Sequence, residues 1–260
     1  MSGTLHVEST GDGPPLVLLH GWAMHSGLWG ALVPRLAKRF RVHAVDLPGH
    51  GHSATVTSFT LDGAVAAVGA ALAAEAGALT VLGWSLGGQV AMRWALAEPA
   101  RVGRLVLVST SPRFVSGGDW PHAMSPETLS RFGDELGVAW KLAVRRFLAL
   151  QMHGSEHGRA VLAELRHQIY ARGEPSPAAL SGALDALMTT DLRDAIAAAE
   201  QPAIVVSGSR DTLTLPGAGA WLAERLPNAR FALIPGAAHA PFLSHAEAFD
   251  AALYGFLDAG

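Results

Sequence analysis

At 260 residues, half of them hydrophobic and 16% charged, the chain can bury one large core and is too apolar to be disordered. A formal net charge of −3 gives no reason to expect nucleic acid or an anionic membrane as a partner. Cysteine is absent, which excludes disulfides, thiolate catalysis and cysteine-ligated metals.

The opening "MSGTLHVESTGDG" lacks a basic stretch followed by an apolar one, so no signal peptide and a cytoplasmic location are expected. "LVLLH" (16–20), "RVHAVDL" (41–47), "LTVLGW" (79–84) and "RLVLVST" (104–110) are apolar runs without polar alternation, as in strands of a parallel sheet covered on both faces. Between them lie helix-like segments at 26–39, 60–77 and 86–99. This alternation predicts an α/β fold with a mostly parallel, doubly wound sheet. The apolar stretch Ala64 to Trp84 approaches membrane-spanning length, but Glu75 interrupts it and it turns strand-like at "GALTVLG". An alanine-rich helix followed by a buried strand is the better assignment.

The rhythm changes after Ser111. From 112 to 190 the pattern is helical, and strands resume at "AIVVSG" (203–208) and "RFALIPG" (230–236) before a closing helix in "HAEAFDAALYGFLDA". The expected organisation is a core made of residues 1–111 and 191–260. Residues 112–190 are expected to form a helical lid over the sheet's carboxyl edge, where open α/β sheets bind ligands.

Chemistry enters at "VLGWSLGGQV" (81–90), where Gly83-Trp84-Ser85-Leu86-Gly87 fits G-x-S-x-G between a strand and a helix. A serine nucleophile needs a general base, and the base needs an orienting acid. In the order Ser, acid, His, the candidates are Asp211 in "SGSRDTL" and His239 in "AAHAPF". His245 is the nearest rival base; Asp46, Asp191 and Asp194 are rival acids. Asp46 belongs to the tight turn "DLPGHGHS", and the other two could cap a helix. The N–H of Leu86 is a natural oxyanion donor, and "LLHGWAM" offers that of Trp22 as the second. Together these residues describe a serine hydrolase site, with no cofactor and no metal expected.

With these residues assembled, the chain resembles the α/β-hydrolase superfamily over its whole length. Within it the chain is similar to the pimeloyl-[acyl-carrier protein] methyl ester esterases. The likeness rests on "LVLLHGW", "VDLPGHG", "LGWSLGG", "TSPRF", "DEL…RRFLALQ", "TTDLR" and "AAHAPFLSHAEAF". It implies an acyl-enzyme on Ser85 and hydrolysis of a methyl ester carried on acyl carrier protein, in biotin biosynthesis. It also implies substrate contacts at Trp22, Ser85, Leu86, Phe147, Leu148, Ala149, Leu150, Gln151 and His239. In residues alone, Phe147, Leu148 and Leu150 could equally be the packed face of a lid helix. Other chemistries on the same scaffold are a broad short-chain carboxylesterase, a lactone or carbon–carbon bond hydrolase and a non-catalytic receptor. An aspartate expected at position 85 of a haloalkane dehalogenase is replaced here by serine.

Residues 141–172 carry Lys141, Arg145, Arg146, Arg159, Arg166 and Arg172 against Glu156 and Glu164, a net +4 in a chain of −3. Such a basic lid could steer an acidic carrier, with Arg145, Arg146 and Arg159 as contacts, or it could be a solvated helix face. The chain is expected to be a monomer.

Overall fold

The computed structural model describes residues 4–259, so Met1 to Gly3 and Gly260, the outer ends of the expected core segments, lie outside it. Seven strands form one sheet in the order β1-β3-β2-β4-β5-β6-β7. They are β1 (Val7–Thr10), β2 (Pro15–Leu19), β3 (Arg41–Val45), β4 (Leu79–Trp84), β5 (Val102–Val108), β6 (Ala203–Gly208) and β7 (Ala229–Ile234). All neighbours pair in parallel except β1, which runs antiparallel to β3. Strands β2, β4 and β6 are buried along nearly their whole length, as the unalternating apolar runs predict.

Helices α1 (Leu32–Leu36), α2 (Leu61–Ala71), α3 (Leu86–Ala97), α7 (Pro216–Arg225), α8 (Pro241–Ser244) and α9 (Ala246–Leu257) accompany the strands. The single helix expected over 26–39 is instead a 3-10 turn, Ser26–Trp29, followed by α1. Gly30, at φ 38° and ψ −117°, breaks the path between them. The helix expected over 60–77 stops at Ala71.

Between β5 and β6 lie α4 (Pro126–Gln151), α5 (Gly158–Gln168) and α6 (Pro177–Thr189). Ser125 and Ser176 start α4 and α6 by accepting from the N–H three residues on, each followed by proline at the first helical position. Ala139 (φ −150°, ψ 62°) kinks α4, leaving Val138 almost fully exposed and Leu142 half exposed. No helix among the described residues is long and apolar enough to cross a membrane.

Among the ties between the α4–α6 excursion and the core, two involve the end of α5 and the turn after it. His25 Nε2 donates to the Gln168 carbonyl at 2.6 Å. Arg172, in the α5–α6 turn, reaches Ser26 Oγ at 2.9 Å, Glu8 at 2.7 Å and the Asp46 carboxylate at 3.8 Å.

Candidate active site

Ser85 follows β4 at the carboxyl edge of the sheet and stands at φ 56°, ψ −118°, a conformation disfavoured for a residue with a Cβ. Its N–H donates to Val108 O at 3.0 Å. Its carbonyl accepts from Gly88 N–H, Gln89 N–H and, at 2.7 Å, Thr110 Oγ1. The glycines around it are steric necessities. A Cβ on Gly83 would fall on the Gly87 carbonyl, one on Gly87 on the carbonyls of Leu19 and His20, and one on Gly88 on the Thr110 side chain. Gly21 packs against this turn, since a Cβ there would stand 3.3 Å from that of Ser85. The loops after β2 and β4 therefore meet.

The ends of β6 and β7 bring Asp211 and His239 together, with Nδ1 of His239 2.8 Å from Oδ2 of Asp211. A carboxylate can only accept, so Nδ1 carries the ring proton and Nε2 is left as the basic nitrogen. Nε2 is buried and has no hydrogen-bond partner among the described residues, and Ser85 Oγ does not close a bond to it. Trp84 frames the base, its indole Nε1 donating to His239 O at 2.7 Å and its ring centroid 5.6 Å from the imidazole. His239 N–H donates to Gln151 O at 3.2 Å, which ties the end of α4 to the histidine loop.

The N–H groups of Leu86 and Trp22 find no acceptor among the described residues. The Leu86 N–H also stands at the positive end of α3. His20 orients the peptide that carries the Trp22 N–H: its Nδ1 donates to Gly21 O at 2.8 Å while Nε2 accepts from Leu47 N–H at 2.9 Å. Complete burial, reinforced by neighbouring His50, pushes His20 down to about 3, so it works as a neutral brace.

Of the expected substrate-contact residues, Trp22 and Phe147 meet edge to face at 4.8 Å, and Trp22 Nε1 is anchored to Leu180 O at 2.9 Å. Phe147 also meets Phe132, at 5.4 Å. Leu148 is fully buried, whereas Ala149 and Leu150 are half-buried. Gln151 is buried with its Oε1 unpartnered. Ser85 and His239 are themselves 2% and 0% exposed, so the site is covered in this conformation.

The rival groups are engaged elsewhere. His245 caps α9, bonded through Nδ1 to Ser244 and facing His157 at 5.2 Å. Asp191 pairs with Arg193 at 2.7 Å, and Asp194 is exposed. Asp46 is buried in its turn, accepting from the N–H of Ser26 and of His52. Burial works against its ionisation, those N–H groups favour the carboxylate, and the carboxyl lies below its ordinary value. His6, Asp46 and His52 bring ligand-type atoms within 4.8 Å of one another, yet the Arg172 guanidinium already supplies the positive charge there.

The basic window is less basic than its composition. Arg172 turns inward, Lys141 pairs with Glu174, and Arg146 pairs with Glu135 of its own helix. Arg145 and Arg159 are exposed. Three residues around Ser85, Asp211 and His239 went unread in the sequence: Gly88, Thr110 and Thr214. The doubled glycine after the serine signals the first. A hydroxyl three residues past a candidate acid signals the last.

A strained serine at a strand-to-helix turn, an acid–base pair on later strand ends and two unpaired N–H groups beside the serine are the arrangement of an α/β-hydrolase. The alpha/beta hydrolase fold family matches residues 14–246, and the chain belongs to it. Within that family, the pimeloyl-[acyl-carrier protein] methyl ester esterase of Nitrosomonas europaea is 46% identical over 246 residues, covering 95% of this chain and 96% of its own. The protein of the same name from Xanthomonas campestris pv. campestris is 44% identical, with 98% and 99% covered. Among solved structures, a hydrolase from Pseudomonas aeruginosa superposes with a TM-score of 0.83 at 29% identity, over 98% of this chain and 94% of that one.

Proposed function

We propose that the chain is a serine carboxylesterase that hydrolyses the methyl ester of pimeloyl-[acyl-carrier protein], freeing the pimeloyl carboxylate for biotin biosynthesis. The observation that carries the chemistry is the His239–Asp211 pair, whose Nε2 is buried and unpartnered at the sheet edge that holds Ser85. The substrate is supported by identities of 44–46% over nearly the whole chain to esterases of that name.

In the reaction, Ser85 Oγ attacks the ester carbonyl as its proton passes to His239 Nε2. The resulting oxyanion accepts from Leu86 N–H and Trp22 N–H. Collapse breaks the carbon–methoxy bond, and the imidazolium returns the proton so that methanol leaves. Water, deprotonated by the same nitrogen, then attacks the acyl-enzyme, and Ser85 departs with that proton. Asp211 keeps Nδ1 protonated throughout and balances the imidazolium charge. The aromatic wall of Trp22 and Phe147 takes the acyl chain, with Leu148, Ala149 and Leu150 behind it. Gln151 offers its unpartnered amide to a polar end of the substrate. The α4–α6 excursion, within residues 112–190, serves as the lid, and the enzyme acts as a cytoplasmic monomer without a cofactor.

Methanol release from the carrier-bound methyl ester tests the assignment, with a short p-nitrophenyl ester as reference. Ser85→Ala should lower kcat on both by about a thousandfold or more. Full activity in that variant removes Ser85 as nucleophile. Turnover of the carrier-bound ester no faster than that of free dimethyl pimelate removes the carrier-linked substrate and leaves a general esterase.

A further inference from the structure

We infer that Thr214 is a positioning residue of the triad, its hydroxyl holding the one carboxylate oxygen of Asp211 that faces His239. This rests on the serine-hydrolase reading above and goes one residue beyond it.

The carboxylate of Asp211 is fully engaged. Oδ1 accepts from Leu213 N–H at 2.9 Å and Thr214 N–H at 3.1 Å. Oδ2 accepts from Thr214 Oγ1 at 2.7 Å and His239 Nδ1 at 2.8 Å. The same hydroxyl oxygen stands 3.5 Å from His239 Nδ1. Since Nδ1 carries a proton, the threonine proton must point to Asp211, and its lone pair faces the imidazole N–H. One side chain thus touches both partners of the acid–base pair, and Asp211, Thr214 and His239 are all buried.

Two consequences follow from this geometry. The backbone donors on Oδ1 and the hydroxyl on Oδ2 leave the carboxylate one orientation, the one that presents Oδ2 to Nδ1. The hydroxyl also draws charge from that oxygen, so the imidazolium formed in catalysis is stabilised less than a two-donor carboxylate would stabilise it. Among the described residues, no other charged side chain is hydrogen-bonded or ion-paired to the ring. Arg210, next to Asp211, turns outward to Gly154 O and Glu156, and the lid contributes the uncharged Gln151.

The test compares Thr214→Val, which keeps the shape and deletes the hydroxyl, with Thr214→Ser, which keeps the hydroxyl and deletes a methyl. Hydrolysis of a short p-nitrophenyl ester is followed across pH. In Thr214→Val, kcat should fall about two- to tenfold with KM little changed, and the acid limb of kcat/KM should move up by about half a unit to one unit. Thr214→Ser should reproduce the wild-type profile. The downfield Nδ1 proton resonance of His239 should shift in the valine variant and not in the serine variant.

A valine variant that tracks wild type in kcat and acid limb overturns the inference. So does a serine variant that loses as much as valine, because the methyl packing and not the hydroxyl would then be at work. Should Thr214→Val fail to fold, Thr214→Ala provides the second hydroxyl-free comparison. Wild-type activity that survives Ser85→Ala would instead overturn the hydrolase reading, so the two failures are distinguishable.

Discussion

His20 and His50 sit against each other behind the turn that carries Trp22, their ring centroids 5.3 Å apart, and both are completely buried. Burial pushes His50 down to about 4 and His20 to about 3, so the fold accommodates only their neutral forms. An unfolded chain takes up those protons near the ordinary value of 6.5. Stability is therefore complete above that value and declines as pH falls, down to about 4 for His50 and about 3 for His20. Each histidine contributes a slope approaching about 1.4 kcal/mol per pH unit. Urea unfolding at about pH 7.5 and about pH 5 checks this: the midpoint should be clearly lower at the acid pH, and equal midpoints would mean that both rings protonate within the fold. Ser85, Asp211 and His239 were singled out as candidates because each stands in a recognisable local context, a G-x-S-x-G turn, a strand end and a small-residue loop. Thr214 was not, because its importance depends on the turn that folds its hydroxyl back onto Asp211.

At the scale of elements, the apolar strands were read to within a few residues because burial on both faces leaves no other pattern. Strand β1 escaped notice: "VEST" is largely exposed and has no core-facing run, so its pairing with β3 rather than its composition makes it a strand. The kink in α4 was equally hidden, since Ala139 is a good helix former. Arg172 joins these elements, linking the α5–α6 turn to β1 and to the 3-10 turn, and it holds the Glu8 carboxyl below its ordinary value. Arg172→Ala should lower stability by about 2 kcal/mol, read from the urea midpoint. It should also speed tryptic cleavage at Arg159 and Arg166. Unchanged cleavage would show that His25 and the packed helix faces hold the excursion by themselves.

Across the whole molecule, Arg145 and Arg159 stand exposed on a chain that is acidic overall, and in the function proposed above they would favour encounter with an acidic carrier. Reversing Arg145 and Arg159 should lower kcat/KM on the carrier-bound ester about tenfold at low salt, leave short esters unchanged, and lose its effect near 1 M salt. Equal loss on both substrates would indicate a damaged lid. Arg146, paired with Glu135, should matter less than either. The sheet order carries a different consequence. Ser85 follows β4, while Asp211 and His239 follow β6 and β7, with the whole α4–α6 excursion between them in the chain. As the protein is synthesised, Ser85 leaves the ribosome long before the strands that deliver Asp211 and His239. With the triad proposed above, every incomplete nascent chain would carry an inert hydroxyl, and hydrolytic power would arise only when the last strand docks.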